Sequence, residues 1–141
     1  MIKIFLGGTT KGYDWRKDLD DRFDYIKFVE LFNPIVEEWD EKAREKENKY
    51  KEVSDINVYV LTPYMEGCYS IAEVVDDSNK QPEKTVFVYL SEIKSEKEIR
   101  RFTKEMLYSL EAVAELVKSN GGKCFTSMDE LIDYIREFIN K

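Results

Sequence analysis

The chain has 141 residues, the usual length of one domain and enough to bury a full core without disulfide or metal staples. Hydrophobic residues make up 43% and aromatics 13%, which excludes a disordered chain, while a net charge of -7 argues against a broad nucleic-acid surface. Histidine is absent, so imidazole triads, histidine metal sites and imidazole acid–base work are excluded, and catalysis falls to carboxylates, Tyr, Lys, Cys or backbone dipoles.

In chain order, IKIFLGG (2–8) reads as a short buried strand running into a tight glycine loop. YDWRKDLDDRF follows with Trp15, Leu19 and Phe23 on one helical face. YIKFVELFNPIV (25–36) is rich in β-branched and aromatic residues and is stopped by Asn33-Pro34, which predicts a second strand. EEWDEKAREKENKYKEVS is a charged helix with few apolar anchors, expected on the surface. DINVYVLTP is the clearest buried strand and is closed by Pro63. A helix is expected from about Ser70, then a strand in KTVFVYLS. Ser95 and Glu98 have capping-box spacing, and the apolar repeat from Ile99 to Val117 predicts one long helix from Ser95 to Gly121-Gly122. KCFTS is a last short strand, and MDELIDYIREFINK an amphipathic final helix.

Strand and helix thus alternate five times, which predicts an α/β fold: a parallel sheet with helices on both faces, as a single domain over residues 1–141. No window reaches the length of a membrane span, and the N-terminal apolar run is too short for a signal peptide. Cys68 and Cys124 are far apart and form no ligand pair, so a reduced, cytoplasmic protein is expected. Ligands in such a sheet bind at the carboxyl ends of the strands, which singles out three loops.

The first, GGTTKGYDWR, combines glycines that admit a ligand to the backbone with a helix N-terminus able to hold a hydroxyl or phosphate. It has neither GxGxxG spacing nor the phosphate-loop motif. The same residues also make a plain strand-to-helix turn with Asp14 as N-cap. The second, NPIVEEWDE, carries Trp39, which either stacks on a base or sugar or covers the core edge. The third, TPYMEGCYSIAE, ends at Glu73. Ser70 and Glu73 match a capping box, so Glu73 either bonds back to its own helix or stands ionised in the first helical turn as a nucleophile.

Together, IFLGGTT…WR, FNPIVEEWDE, DINVYVLTP and GCYSIAEV resemble the nucleoside 2-deoxyribosyltransferase family, in its divergent deoxyribosyltransferase-like branch. The likeness spans residues 2 to about 90; the C-terminal third matches only in general pattern. It implies a flavodoxin-like sheet of order 2-1-3-4-5. It also implies that Glu73 attacks C1′ of a 2-deoxynucleoside or its 5′-monophosphate, and that a second base or water then takes the sugar. The acid that helps the base leave corresponds to Glu47. Gly7, Gly8, Thr9, Thr10 and Trp15 would line the pocket. Thr9, Thr10, Lys11 and Arg16 would hold a 5′-phosphate, although Arg16 has a surface ion pair as its alternative. Trp39, Asp40 and Ser70 complete the substrate-binding set. The family's sugar-contacting Asp, six residues before the nucleophile, is replaced by Gly67. The resemblance implies no metal and no other cofactor. The expected partner is a small-molecule nucleoside or nucleotide, with no nucleic acid or membrane, in a homo-oligomer. The alternative is a non-catalytic nucleotide-binding or sensing module on the same fold.

Overall fold

The computed structural model describes residues 1–35 and 40–141. Among them, strands β1 (Ile2–Gly8), β2 (Val29–Phe32), β3 (Ile56–Leu61), β4 (Thr85–Tyr89) and β7 (Lys123–Phe125) form one parallel sheet of spatial order β2-β1-β3-β4-β7. This is the flavodoxin-like order 2-1-3-4-5 expected from the resemblance. Helices α1 (Trp15–Phe23), α2 (Glu41–Val53), α3 (Tyr69–Lys80) and α4 (Lys104–Ser119) make the crossovers, and α5 (Met128–Ile139) follows the last strand.

The strands alternate their side chains between two apolar layers. Ile4, Leu6, Val58, Val60, Val86 and Val88 pack with Trp15 and Leu19 of α1 and Leu131 and Ile135 of α5. Phe5, Tyr59, Leu61 and Phe87 point the other way, onto Val74 of α3 and Leu110 and Val117 of α4. Both faces of the central strands are covered, which is why β3 is buried at all six positions and is apolar at all but Asn57.

Two expectations are corrected. The second strand spans only Val29–Phe32, because the chain leaving α1 first turns: the Ile26 amide bonds the Phe23 carbonyl and the Val29 amide bonds the Ile26 carbonyl. The helix expected from Ser95 begins at Lys104, where Thr103 caps it by accepting from the Met106 amide at 3.1 Å. Residues before it form an antiparallel hairpin of β5 (Glu92–Lys94) and β6 (Ile99–Arg101). The Ser95 hydroxyl does accept from the Glu98 amide, at 3.2 Å, but it closes the hairpin turn rather than a helix. An S-x-x-E pattern satisfies either geometry.

The sheet order reverses direction between β1 and β3, so the switch point lies at their carboxyl ends. Gly8 ends β1 there with φ +118°, and a Cβ on it would stand 2.1 Å from the Val60 carbonyl oxygen. Glycine is required at this point for the two strands to close together.

Candidate active site

A cleft of about 300 Å³ opens at the switch point, lined by Gly7, Gly8, Thr10, Arg16, Pro34, Ile35, Arg44, Glu47, Tyr69, Ser70 and Glu73. It gathers residues from the end of β1, from α1, from α2 and from the first turns of α3. Seven of the residues expected from the sequence meet here: Gly7, Gly8, Thr10, Arg16, Glu47, Ser70 and Glu73.

Glu73 does not cap its own helix. Helix α3 starts at Tyr69 with Cys68 as N-cap and no side-chain cap bond, which puts Ser70 inside the helix and Glu73 beyond the first turn. The expectation that the helix dipole steadies Glu73 in the first turn is therefore corrected. Its partner is Lys51 of α2, whose Nζ lies 2.9 Å from Glu73 Oε2, with side-chain exposures of only 10% and 11%. Lys51 is held above its ordinary value: burial works against its charge, but Glu73, Asp77 and Glu47 outweigh that cost.

Glu47 sits one helical turn before Lys51 and is 8% exposed. Burial first, then hydrogen bonding with Glu73 and repulsion from its charge, push the Glu47 carboxyl up to about 7. Lys51 and Arg44 oppose that rise. Behind the pair, Tyr59, fully buried on β3, donates its hydroxyl hydrogen to Asp77. Burial raises Asp77 above the usual carboxylate range, against the opposing effects of Tyr59 and Lys51. One cleft thus holds a carboxylate in an ion pair beside a carboxyl that keeps its proton near neutrality. Two carboxyl groups in such unequal surroundings are what nucleophile-plus-acid chemistry uses.

Arg16 is neither a surface ion-pair residue nor a free anion hook. It is 3% exposed, and its guanidinium donates to the carbonyls of Leu6 (3.2 and 3.1 Å), Gly8 (3.4 Å) and Thr9 (2.8 Å). Burial lowers it to about 10, so it remains a cation at neutral pH. Trp15 is fully buried in the core, with its indole N–H on the Thr9 carbonyl at 2.9 Å. Thr9 is buried too, its hydroxyl accepting from the Thr62 amide at 3.0 Å. Both brace the loop and stand behind the cleft rather than lining it. Asp40 is exposed and caps α2, accepting from the Ala43 amide at 2.8 Å. Trp39 lies outside the described residues.

Lys51, Arg44 and Tyr69 belong to the site but were not singled out from the sequence. The signal for Lys51 was its i, i+4 spacing from Glu47 in a helix whose other charges face water. Tyr69 keeps 64% of its surface exposed at the cleft. Beside it, Gly8, Thr9, Thr10, Lys11, Tyr64, Gly67 and Ser70 line a second recess of about 210 Å³.

A parallel sheet with a cleft at its switch point is the build of an α/β protein that binds a small ligand there. The chain belongs to the family described as nucleoside 2-deoxyribosyltransferase like, which matches residues 1–99. That membership places it with glycosyl-transfer-related enzymes that bind nucleosides or nucleotides. No curated protein matches the chain. No helix among the described residues is long and apolar enough to cross a membrane.

Proposed function

We propose that the protein exchanges or hydrolyses the N-glycosidic bond of a 2-deoxynucleoside or its 5′-monophosphate, with Glu73 as nucleophile and Glu47 as general acid. The observation that carries this reading is the inequality of the two carboxyl groups in one cleft: Glu73 paired with Lys51, and Glu47 raised to about 7. Glu73 attacks C1′ and forms a glycosyl ester as the bond to the base nitrogen breaks. The Glu47 proton goes to the departing base. A second base or a water then attacks C1′ and releases Glu73. The backbone of Gly7 and Gly8 admits the sugar edge closely, and Thr10 and Ser70 supply hydroxyls to it. We assign a 5′-phosphate to the second recess, beside Thr10 and Lys11, where it would take Lys11 from Glu66, its partner at 2.5 Å.

A second reading, a nucleotide-binding module without turnover, is favoured by Gly67, which leaves the position of the family's sugar-contacting acid without a side chain. One experiment separates the two. The protein is incubated with deoxynucleosides and deoxynucleoside 5′-monophosphates, with and without a second free base, and the products are resolved by chromatography. Free base identifies hydrolysis, and a new nucleoside identifies transfer. Saturable binding with neither product refutes the glycosidic reading.

A further inference from the structure

The reaction above leaves the buried Lys51 without a task. Lys51 lies within the cluster, i, i+4 from Glu47 on α2 and 2.9 Å from Glu73 on α3. Its ammonium feels both carboxyl groups, and Glu47 feels it in turn. We propose that Lys51 is a positioning residue, the shared counter-ion of Glu47 and Glu73, which holds the buried cluster at constant charge while the glycosidic bond is exchanged. The proposal rests on the reading of Glu73 as nucleophile.

The balance is as follows. Before attack, Glu73 is the anion and Glu47 is neutral. A Glu73 oxygen bonds to C1′, the C1′–N bond breaks, and its electron pair leaves with the base. The Glu47 proton passes to the base nitrogen. Glu73 is then a neutral ester and Glu47 the anion. The negative charge has crossed from one side of Lys51 to the other, and the three residues sum to zero at both ends. When a second base or water attacks C1′, the ester bond breaks, its electron pair returns to Glu73, and the incoming group's proton goes to Glu47. At no stage is the ammonium left beside neutral groups alone, which a buried site penalises heavily.

Other charged groups also face the pair. Arg44 of α2 and Arg16 of α1 face Glu47. Asp77 of α3 faces Lys51 and is occupied by the Tyr59 hydroxyl of β3, while Lys80 and Asp76 lie further along α3. Among the described residues only Lys51 is within ion-pair distance of Glu73, and no cation is within that distance of Glu47, which Lys51 and Arg44 both influence from the same helix.

The test uses the full chain with Lys51→Met and Lys51→Arg. Carboxyl carbon-13 NMR, without substrate, follows the glutamates across the acid-to-neutral range, with signals assigned by Glu47→Gln and Glu73→Gln. Loss of the ammonium in Lys51→Met is expected to move the Glu47 titration up by about one pH unit or more. Lys51→Arg is expected to return it toward wild type. In turnover, Lys51→Met is expected to lower kcat about 100-fold with KM little changed, and to shift the pH–rate profile upward. If Lys51→Met does not fold, the same substitution is made in Glu73→Gln, where the Glu47 titration is expected to rise relative to Glu73→Gln alone. An unchanged Glu47 titration overturns the counter-ion role whatever the kinetics. Absence of base release by the wild type instead refutes the glycosidic reading, and the chemical step with it, while the titrations still decide whether Lys51 is the counter-ion.

Discussion

The Arg16 guanidinium lies 2.8 Å from the Thr9 carbonyl oxygen and also reaches the carbonyls of Leu6 and Gly8, so one buried cation ties α1 to the end of β1. This bond set, rather than the glycines alone, gives the first loop its shape. Arg16→Met keeps the apolar stem and removes every donor. It is expected to cost about 2–4 kcal/mol of stability, read by urea denaturation, because the Leu6 and Gly8 carbonyls lose the guanidinium in a dry site and the Thr9 carbonyl keeps only the Trp15 indole N–H. A loss below about 0.5 kcal/mol would mean that water replaces the guanidinium at no cost.

Glu47 sets a pH dependence whose sign is fixed. Its value in the folded protein is raised from 4.5 to about 7, so between those limits the native state holds a proton that the unfolded chain has lost. Its contribution to stability is therefore full below the unfolded value and declines as pH rises through about 7. Asp77, also raised by burial, adds to the same slope. Glu47→Gln is expected to flatten the fall in stability between acid and mildly alkaline solution by about 1–3 kcal/mol, measured by denaturant titration at the two ends. An equally steep fall in the variant would remove Glu47 as its source. In the wild type, base release is expected to decline above about pH 7, as the acid loses its proton.

Glu73→Gln keeps the shape of the side chain and deletes the nucleophile. Base release is expected to fall by about 1,000-fold or more with the circular dichroism spectrum unchanged. Retention of a tenth or more of the wild-type rate would assign the attack to another group.

Gly67 is exposed, and a Cβ added there meets no atom within 4 Å. Gly67→Asp restores a carboxylate six residues before Glu73. Stability is expected to change by less than about 0.5 kcal/mol. The kcat/KM for a 2-deoxynucleoside is expected to rise, since the added acid faces the recess beside the cleft. A variant that folds normally with unchanged kcat/KM would show that this chain holds the sugar by other means.

The sheet was legible because its residues carry one message each. β3 is apolar at both faces, Pro63 stops it, and Gly121-Gly122 ends α4 at a φ of +104° for Gly121. The hairpin was not legible, because Ser95 and Glu98 bond the same atoms in a turn as they would at a helix start, and Ile99 and Phe102 extend the apolar repeat of α4 backwards. At the site, the meeting of Glu73 with Glu47 was foreseen only through family resemblance. Its chemistry was hidden in α2, which reads as a solvated helix, yet Glu47 and Lys51 are its buried residues. Two charges that bury each other leave no hydrophobic trace in a sequence. The bracing by Arg16 was hidden for a related reason: its acceptors are backbone carbonyls, which every sequence has and none displays.

The absence of histidine gives the buried Glu47 an unusual visibility. Most proteins of this size exchange protons near neutrality through several imidazoles, and one more titrating group is lost among them. Here that background has no imidazole component. A nucleoside that displaces or captures the Glu47 proton would therefore leave a measurable trace in a weakly buffered solution, as an uptake or release whose size varies with pH around 7. Ligand binding could be followed through the solvent alone, with no label and no chromophore on either partner.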